Sequence, residues 1–135
     1  MPRTTPKPAR RPPLPSDAEL EILTVLWKSG PGTVRDVHEA LGKGRGYTTT
    51  LKQMQLMTDK GLLTRSERFR SHVYDARAPK EDTRQQIAGD LLTRAFDGSA
   101  KSLVLGALSA RPASDDELAE IKRLLDTFER RKGRP

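Results

Sequence analysis

Small hydroxyls, a cation and an amide share one face of a helix that the residue spacing predicts over Tyr47–Lys60. At 100° per residue, this polar face carries Thr48, Thr49, Lys52 and Gln53. Threonine methyls can meet thymine, lysine suits guanine or a phosphate, and glutamine can pair with adenine. The pattern indicates a helix that can enter the major groove of DNA, although a solvated helix face would be equally polar.

The charges around this helix favour the DNA interpretation. No acidic residue occurs between positions 42 and 58, whereas Lys43, Arg45 and Lys52 are present. A predicted hairpin that follows the helix adds Arg65, Arg68 and Arg70, where contacts to the phosphate backbone are expected. We therefore take the candidate DNA-binding residues to be Arg45, Thr48, Thr49, Lys52, Gln53, Arg68 and Arg70. Leu56 on the same face is an apolar exception, which either touches a base methyl or packs under the hairpin.

Other chemistries find no support in the residue types. The chain has no cysteine, which excludes disulfides, thiol catalysis and thiolate metal sites. Its two histidines, His38 and His72, are too few and too far apart to indicate a zinc centre. No glycine-rich phosphate loop and no nucleophile beside a base can be recognised. We expect no catalytic residue, no metal and no cofactor, and therefore no enzyme.

The net charge of +7 is weaker evidence than it first suggests. Residues 1–15 contain six prolines, four cations and no acid, so this segment alone contributes +4. Such a composition predicts disorder, as either an inert solvated tail or a basic arm that touches DNA. The absence of an apolar run of membrane-spanning length, or of a secretory signal, predicts a soluble cytoplasmic protein without membrane contact.

Residues 16–78 show the order helix, short helix, helix and hairpin. A capping-box pattern at Ser16 starts the first helix, Thr33 starts the second, and Gly61 stops the third. Residues 62–66 and 72–76 are predicted as strands around a turn near 68–71. Trp27 and Tyr47 fall on the apolar sides of their helices, which predicts core positions. The order indicates a winged helix-turn-helix, so the fold class is mainly α with a small β-wing.

Residues 79–135 are predicted as three amphipathic helices, which begin near Pro79, Ser99 and Ser114. Helices of this total length cannot close a sizeable core alone, and dimerisation would bury their apolar stripes. A helical layer docked on its own chain is the alternative. The candidate dimerisation residues are Leu91, Leu103, Leu108, Leu118, Ile121, Leu125 and Phe128.

Several motifs together resemble the penicillinase repressors of the BlaI/MecI/CopY type, over about residues 14–128. They are Glu19-Leu20-Glu21-Ile22-Leu23 with Leu26-Trp27, Thr33-Val34-Arg35-Asp36-Val37, Gly46-Tyr47-Thr48-Thr49-Thr50-Leu51, Lys60-Gly61-Leu62-Leu63, Ser71-His72-Val73-Tyr74 and Lys101-Ser102-Leu103-Val104. The resemblance implies a winged helix-turn-helix joined to a helical dimerisation domain. It also implies binding to an inverted-repeat operator, often with TACA/TGTA half-sites, of β-lactamase, penicillin-binding-protein or copper-homeostasis genes. For this chain the candidate targets are β-lactamase, cell-wall or related stress genes.

Two departures concern how such a repressor is released from DNA. The β-lactam-linked members are cleaved at an Asn-Phe bond by a pathway that involves a sensor metallopeptidase, but Leu105-Gly106-Ala107-Leu108 stands at that place. The copper-responsive members use Cys-x-Cys motifs, which this cysteine-free chain lacks. The sequence thus predicts a homodimeric repressor on a pseudo-palindromic operator. A winged-helix protein-interaction module and a non-specific nucleic-acid-binding protein are the alternatives.

Overall fold

The computed structural model describes residues 12–42 and 44–133, so most of the predicted disordered tail lies outside the described residues. The elements are α1 (Asp17–Ser29), α2 (Val34–Leu41), α3 (Tyr47–Lys60), β1 (Leu63–Arg68), β2 (Ser71–Ala76), α4 (Lys80–Ala95), α5 (Ala100–Ala110) and α6 (Asp115–Lys132). The predicted fold class is confirmed, since a three-helix unit with a β-hairpin precedes further helices. Residues 12–15 are not helical, and the Pro12 carbonyl accepts a hydrogen bond from Gln86 Nε2 at 2.8 Å.

The first two helices both begin with a reciprocal cap. The Ser16 hydroxyl accepts a hydrogen bond from the Glu19 N–H, and the Glu19 carboxylate accepts one from the Ser16 N–H. Thr33 and Asp36 make the same pair of hydrogen bonds at the start of α2. Such boxes satisfy backbone donors that a helix start leaves unpaired. They fix the starts of α1 and α2 where the sequence predicts them.

The core of the N-terminal unit lies where α1, α2, α3 and the hairpin meet. Its buried members are Ile22, Leu23, Leu26, Val34, Val37, Met54, Met57, Leu62, Leu63 and Tyr74. Gly32 and Tyr74 exchange two backbone hydrogen bonds, of 2.9 and 2.8 Å, which join the loop between α1 and α2 to β2. The hairpin base is therefore hydrogen-bonded to the helical part of this unit as well as packed on it.

The hairpin, which we call the wing (residues 63–76), closes through the two-residue loop Phe69-Arg70. Its strands are antiparallel, and Arg68 pairs with Ser71 across the turn. Both loop residues have positive φ, 52° and 66°, as a type I′ turn requires. This left-handed conformation costs an L-residue roughly 1–2 kcal/mol. Both strands extend further toward the turn than predicted, β1 to Arg68 and β2 from Ser71, because the tight turn leaves only two residues unpaired.

Chain contacts divide the protein into two compact units, one ending at Gly89 and the other beginning at Asp90. The sequence places a boundary earlier, between residues 78 and 79. The first turns of α4 belong with the N-terminal unit, where Thr83 is buried and Gln86 holds Pro12. In the second unit Phe96 packs on Gly106, where an added Cβ would come within 3.3 Å of the ring.

Within the described residues, none of the helices is long and apolar enough to cross a membrane.

Candidate nucleic-acid interface

The two faces of α3 separate as the spacing predicts. Thr50, Met54 and Met57 are buried in the core, whereas Thr48, Thr49 and Lys52 are exposed on the other side. Gln53 is half-buried. Side chains three and four residues apart are neighbours on a helix, so the two threonines and the lysine form one polar patch. We call Thr48, Thr49, Lys52 and Gln53 the α3 face.

The start of α3 differs from the starts of α1 and α2. Its N-cap is Gly46, and no side-chain hydrogen bond caps its first turn within the described part of the chain. The backbone N–H groups there consequently lack the side-chain acceptor that Ser16 and Thr33 supply elsewhere. An uncapped helix start beside the α3 face is suited to a phosphate oxygen.

Arg45 is placed differently from the other candidate cations. Its side chain is only 19% exposed, and Nη2 lies 2.6 Å from Glu21 Oε1 of α1. The ion pair connects the loop before α3 to the exposed side of α1. Arg45 thus has a protein partner in this structure, whereas Arg68 and Arg70 are exposed at the turn of the wing.

The wing is polar and exposed along most of its length. Every β1 residue after Leu63 is exposed, including Arg65 and Arg68. Glu67 and His72 face one another across the strands, with their closest side-chain atoms 3.7 Å apart. Because Gly61 and Leu62 alone separate α3 from β1, the α3 face and the wing follow each other directly in one unit. An exposed polar helix face followed by a basic hairpin is the arrangement that a winged-helix DNA reader needs.

The comparison with known protein families matches residues 15–127 to the penicillinase repressor family. The chain belongs to the penicillinase repressor family. It is 29% identical over 119 residues to the penicillinase repressor of Bacillus licheniformis, covering 87% of this chain and 93% of that protein. Identity to the transcriptional regulator BlaI of Mycobacterium tuberculosis is 32%, with coverage of 84% and 83%. The methicillin resistance regulatory protein MecI of Mammaliicoccus sciuri is 20% identical, with coverage of 82% and 92%.

Members of the penicillinase repressor family are transcription regulators, so this chain is a transcription regulator and not an enzyme. The matched region includes both the three-helix unit with its wing and most of the C-terminal helices. All the motifs on which the sequence resemblance rests therefore lie within the matched residues 15–127.

Three predictions about apolar side chains in this family member need correction or refinement. Tyr47 was predicted to lie in the core but is 44% exposed, because it is the first residue of α3 and projects past the packed layer. Its ring instead meets His38 edge-on, with centroids 5.7 Å apart.

Trp27 is half-buried as part of the core rim, and its Nε1 donates to the Ala78 carbonyl at 3.0 Å. Leu56 is 57% exposed, so it does not pack under the wing.

An ion pair that the sequence pattern does not reveal holds α3 to α1. Glu19 is only 4% exposed, and its Oε2 accepts a hydrogen bond from Lys60 Nζ at 2.5 Å. Burial raises the pKa of the Glu19 carboxyl. The Lys60 ammonium and the hydrogen bonds with Ser16 lower this pKa by more than burial raises it. The net effect places this pKa below its ordinary value of 4.5. The carboxylate is thus a positioning group at the far end of the helix that carries the α3 face.

The candidate dimerisation residues of this family member retain apolar surface in the single chain. None of the residues of α5 or α6, over Ala100–Ala110 and Asp115–Lys132, is buried. Leu91, Leu103 and Ile121 are half-buried, and the exposed members are Leu108, Leu118, Leu125 and Phe128. Leu118, Ile121, Leu125 and Phe128 follow one another at spacings of three and four residues, which places them on one stripe of α6.

Proposed function

We propose that this protein represses transcription by binding a pseudo-palindromic operator as a homodimer. The observation that carries the proposal is the α3 face, where exposed hydroxyls and a cation lie opposite a buried apolar side of the same helix. Family membership supports the regulatory role, because relatives are named as a penicillinase repressor and as a methicillin resistance regulatory protein.

In this proposal, α3 enters the major groove and the wing contacts the neighbouring backbone. Thr48, Thr49, Lys52 and Gln53 select bases, while Arg68 and Arg70 supply phosphate contacts that strengthen binding without reading sequence. Arg45 joins the phosphate contacts when its guanidinium exchanges the Glu21 carboxylate for a phosphate oxygen. The uncapped start of α3 offers backbone donors to the same strand.

The homodimer rests on the apolar surface of the C-terminal helices. A stripe that includes Leu118, Leu125 and Phe128 would be removed from water by the same stripe of a second copy. Two copies related by a two-fold axis present two α3 helices to successive major grooves. Half-site centres would then lie roughly one turn of DNA, about 34–36 Å, apart.

The regulated genes, on this proposal, are those of β-lactamase, the cell wall or a related stress response. The names of the relatives support this choice, since they refer to penicillinase and methicillin resistance. Cleavage at an Asn-Phe bond is not included, because Leu105-Gly106 stands there within α5.

Selection from a random DNA pool tests the proposal directly. The full chain is incubated with a random duplex library, and bound sequences are recovered over several rounds. A dyad-symmetric consensus supports both specific binding and the homodimer. Binding without sequence preference that falls steeply with salt would indicate a non-specific nucleic-acid-binding protein. Failure to retain DNA at low salt would indicate a protein-interaction module instead.

A further inference from the structure

The tip of the wing carries an apolar ring that neither the core nor the proposed phosphate contacts use. Phe69 is 93% exposed, more than any other large hydrophobic residue among those that the structure describes. It lies between two exposed cations, Arg68 and Arg70. We call these three residues the wing tip.

The backbone of the wing tip makes this choice of residue unusual. Phe69 and Arg70 both have positive φ in a turn that strongly favours Asn-Gly, Asp-Gly or Gly-Gly. Neither residue is favoured locally, and the ring is not buried within the chain. A large exposed side chain held in a sparsely populated conformation is the kind of outlier that points to a binding role.

Resting on the proposed function, we propose that Phe69 inserts as an apolar wedge into the minor groove beside the half-site bound by α3. Proteins that bind this groove combine Arg side chains with apolar wedges that partly unstack a base step. Narrow A·T-rich minor grooves have an enhanced negative potential that attracts arginine. The wing tip places an aromatic ring between Arg68 and Arg70, so the two cations contact the phosphates that border the groove while the ring enters it.

The length of the wing suits this placement. The six residues of β1 span about 20 Å at the usual rise of an antiparallel strand. The minor groove next to an occupied major groove lies roughly half a helical turn, about 17 Å, along the DNA. A helix in the major groove can thus be followed by a wing that reaches the next groove.

The protein side of the test uses Phe69→Asn, which removes the ring but suits positive φ. This variant should unfold at the same or a higher temperature than the wild type, since asparagine relieves the turn. Its affinity for a 40-base-pair duplex selected from the random pool should fall about tenfold, within the range that one altered base pair costs. Thr64→Ala at the exposed base of β1 is the matched control and should bind as the wild type does.

The DNA side of the test distinguishes the two grooves. The base pairs that flank each half-site are made all A·T, all G·C or all inosine·C, which has the minor-groove pattern of A·T and a major groove like that of G·C. The wild type should bind the A·T and inosine·C flanks similarly and the G·C flanks more weakly. Phe69→Asn should reduce this difference. A 2-aminopurine in the flank should brighten with the wild type and stay dim with the variant.

Three results would overturn the inference while leaving specific binding intact. They are equal affinity of Phe69→Asn and the wild type, equal binding to all three flanks, or inosine·C flanks that behave as G·C. A pool that yields no consensus would overturn the proposed function itself, and the wedge with it.

Discussion

Lys60, the last residue of α3, donates to the buried carboxylate of Glu19 in the first turn of α1, with Nζ 2.5 Å from Oε2. The same carboxylate accepts the Ser16 N–H at 2.8 Å through its other oxygen. One side chain therefore caps α1 and anchors the C-terminal end of the helix whose opposite face is proposed to read DNA. Its removal affects stability and the orientation of α3 together.

Truncation of this side chain should destabilise the fold. We expect Glu19→Ala to lower the free energy of unfolding by about 1–3 kcal/mol, because the Ser16 N–H and the Lys60 ammonium lose the buried carboxylate that accepts their hydrogen bonds. Urea unfolding at a fixed protein concentration measures the change. Glu39→Ala removes an exposed carboxylate from α2 and should change stability by no more than about 0.5 kcal/mol. Equal effects of the two variants would contradict the anchoring role of Glu19.

The pKa of Glu19 predicts a specific response to acid. Because this pKa is lowered in the folded chain, the folded state favours the ionised form more than the unfolded state does. Its contribution to stability is fully present above the ordinary pKa of 4.5 and is lost as pH falls through the lower, folded value. The free energy of unfolding, measured at a series of pH values from neutral to acid, should decrease less steeply for Glu19→Gln than for the wild type. Parallel curves for the variant and the wild type would exclude this linkage.

Variants of Lys52 and Arg70 should distinguish base contacts from phosphate contacts on the proposed DNA surface. Lys52→Ala and Arg70→Ala should each weaken operator binding and leave the sedimentation coefficient of the free protein unchanged. If a residue contacts phosphate, its variant should reduce the slope of log affinity against log salt by about 0.9. A base contact would instead relax sequence choice at one position. Arg84→Ala, on the exposed part of α4, is the control, and unchanged affinity in both test variants would exclude the assigned surface.

The stripe on α6 makes a prediction about assembly. Introducing a charge with Phe128→Asp or Leu125→Asp should shift the proposed dimer to monomer at micromolar concentration, because a buried unpaired carboxylate is strongly disfavoured. Arg123→Glu reverses a charge at an exposed position of the same helix and should leave the dimer intact. Sedimentation velocity gives the assembly state. A wild-type monomer at these concentrations would already contradict the homodimer.

Local patterns predict the fold more fully than they predict the contacts of the candidate site. Periodicity and Gly61 define α3, and the separation of Thr50 and Met54 from Thr49 and Lys52 follows from helical geometry. The Glu19–Lys60 and Glu21–Arg45 pairs join residues far apart in the chain, so no local spacing signals them.

The exact length of the turn at Phe69-Arg70 could not be predicted from the sequence, for a different reason. Its residues are not those that the turn type prefers, so the sequence locates the turn but not its length. Tyr47 shows a related limit, since helical phase assigns it to the apolar side but does not show that burial along α3 begins only at Thr50.

The backbone pair between Gly32 and Tyr74 gives the wing a gradient of stiffness. Near its base the hairpin is locked to the loop between α1 and α2, so that part can open only when the surrounding unit loosens. Toward the turn, the exposed side chains of β1 leave the strands with little besides each other for support. The wing is thus held firmly at its base and has the fewest supporting contacts at its turn. In the proposed binding mode, such an element follows variation in groove width along DNA without disturbing the register that α3 sets.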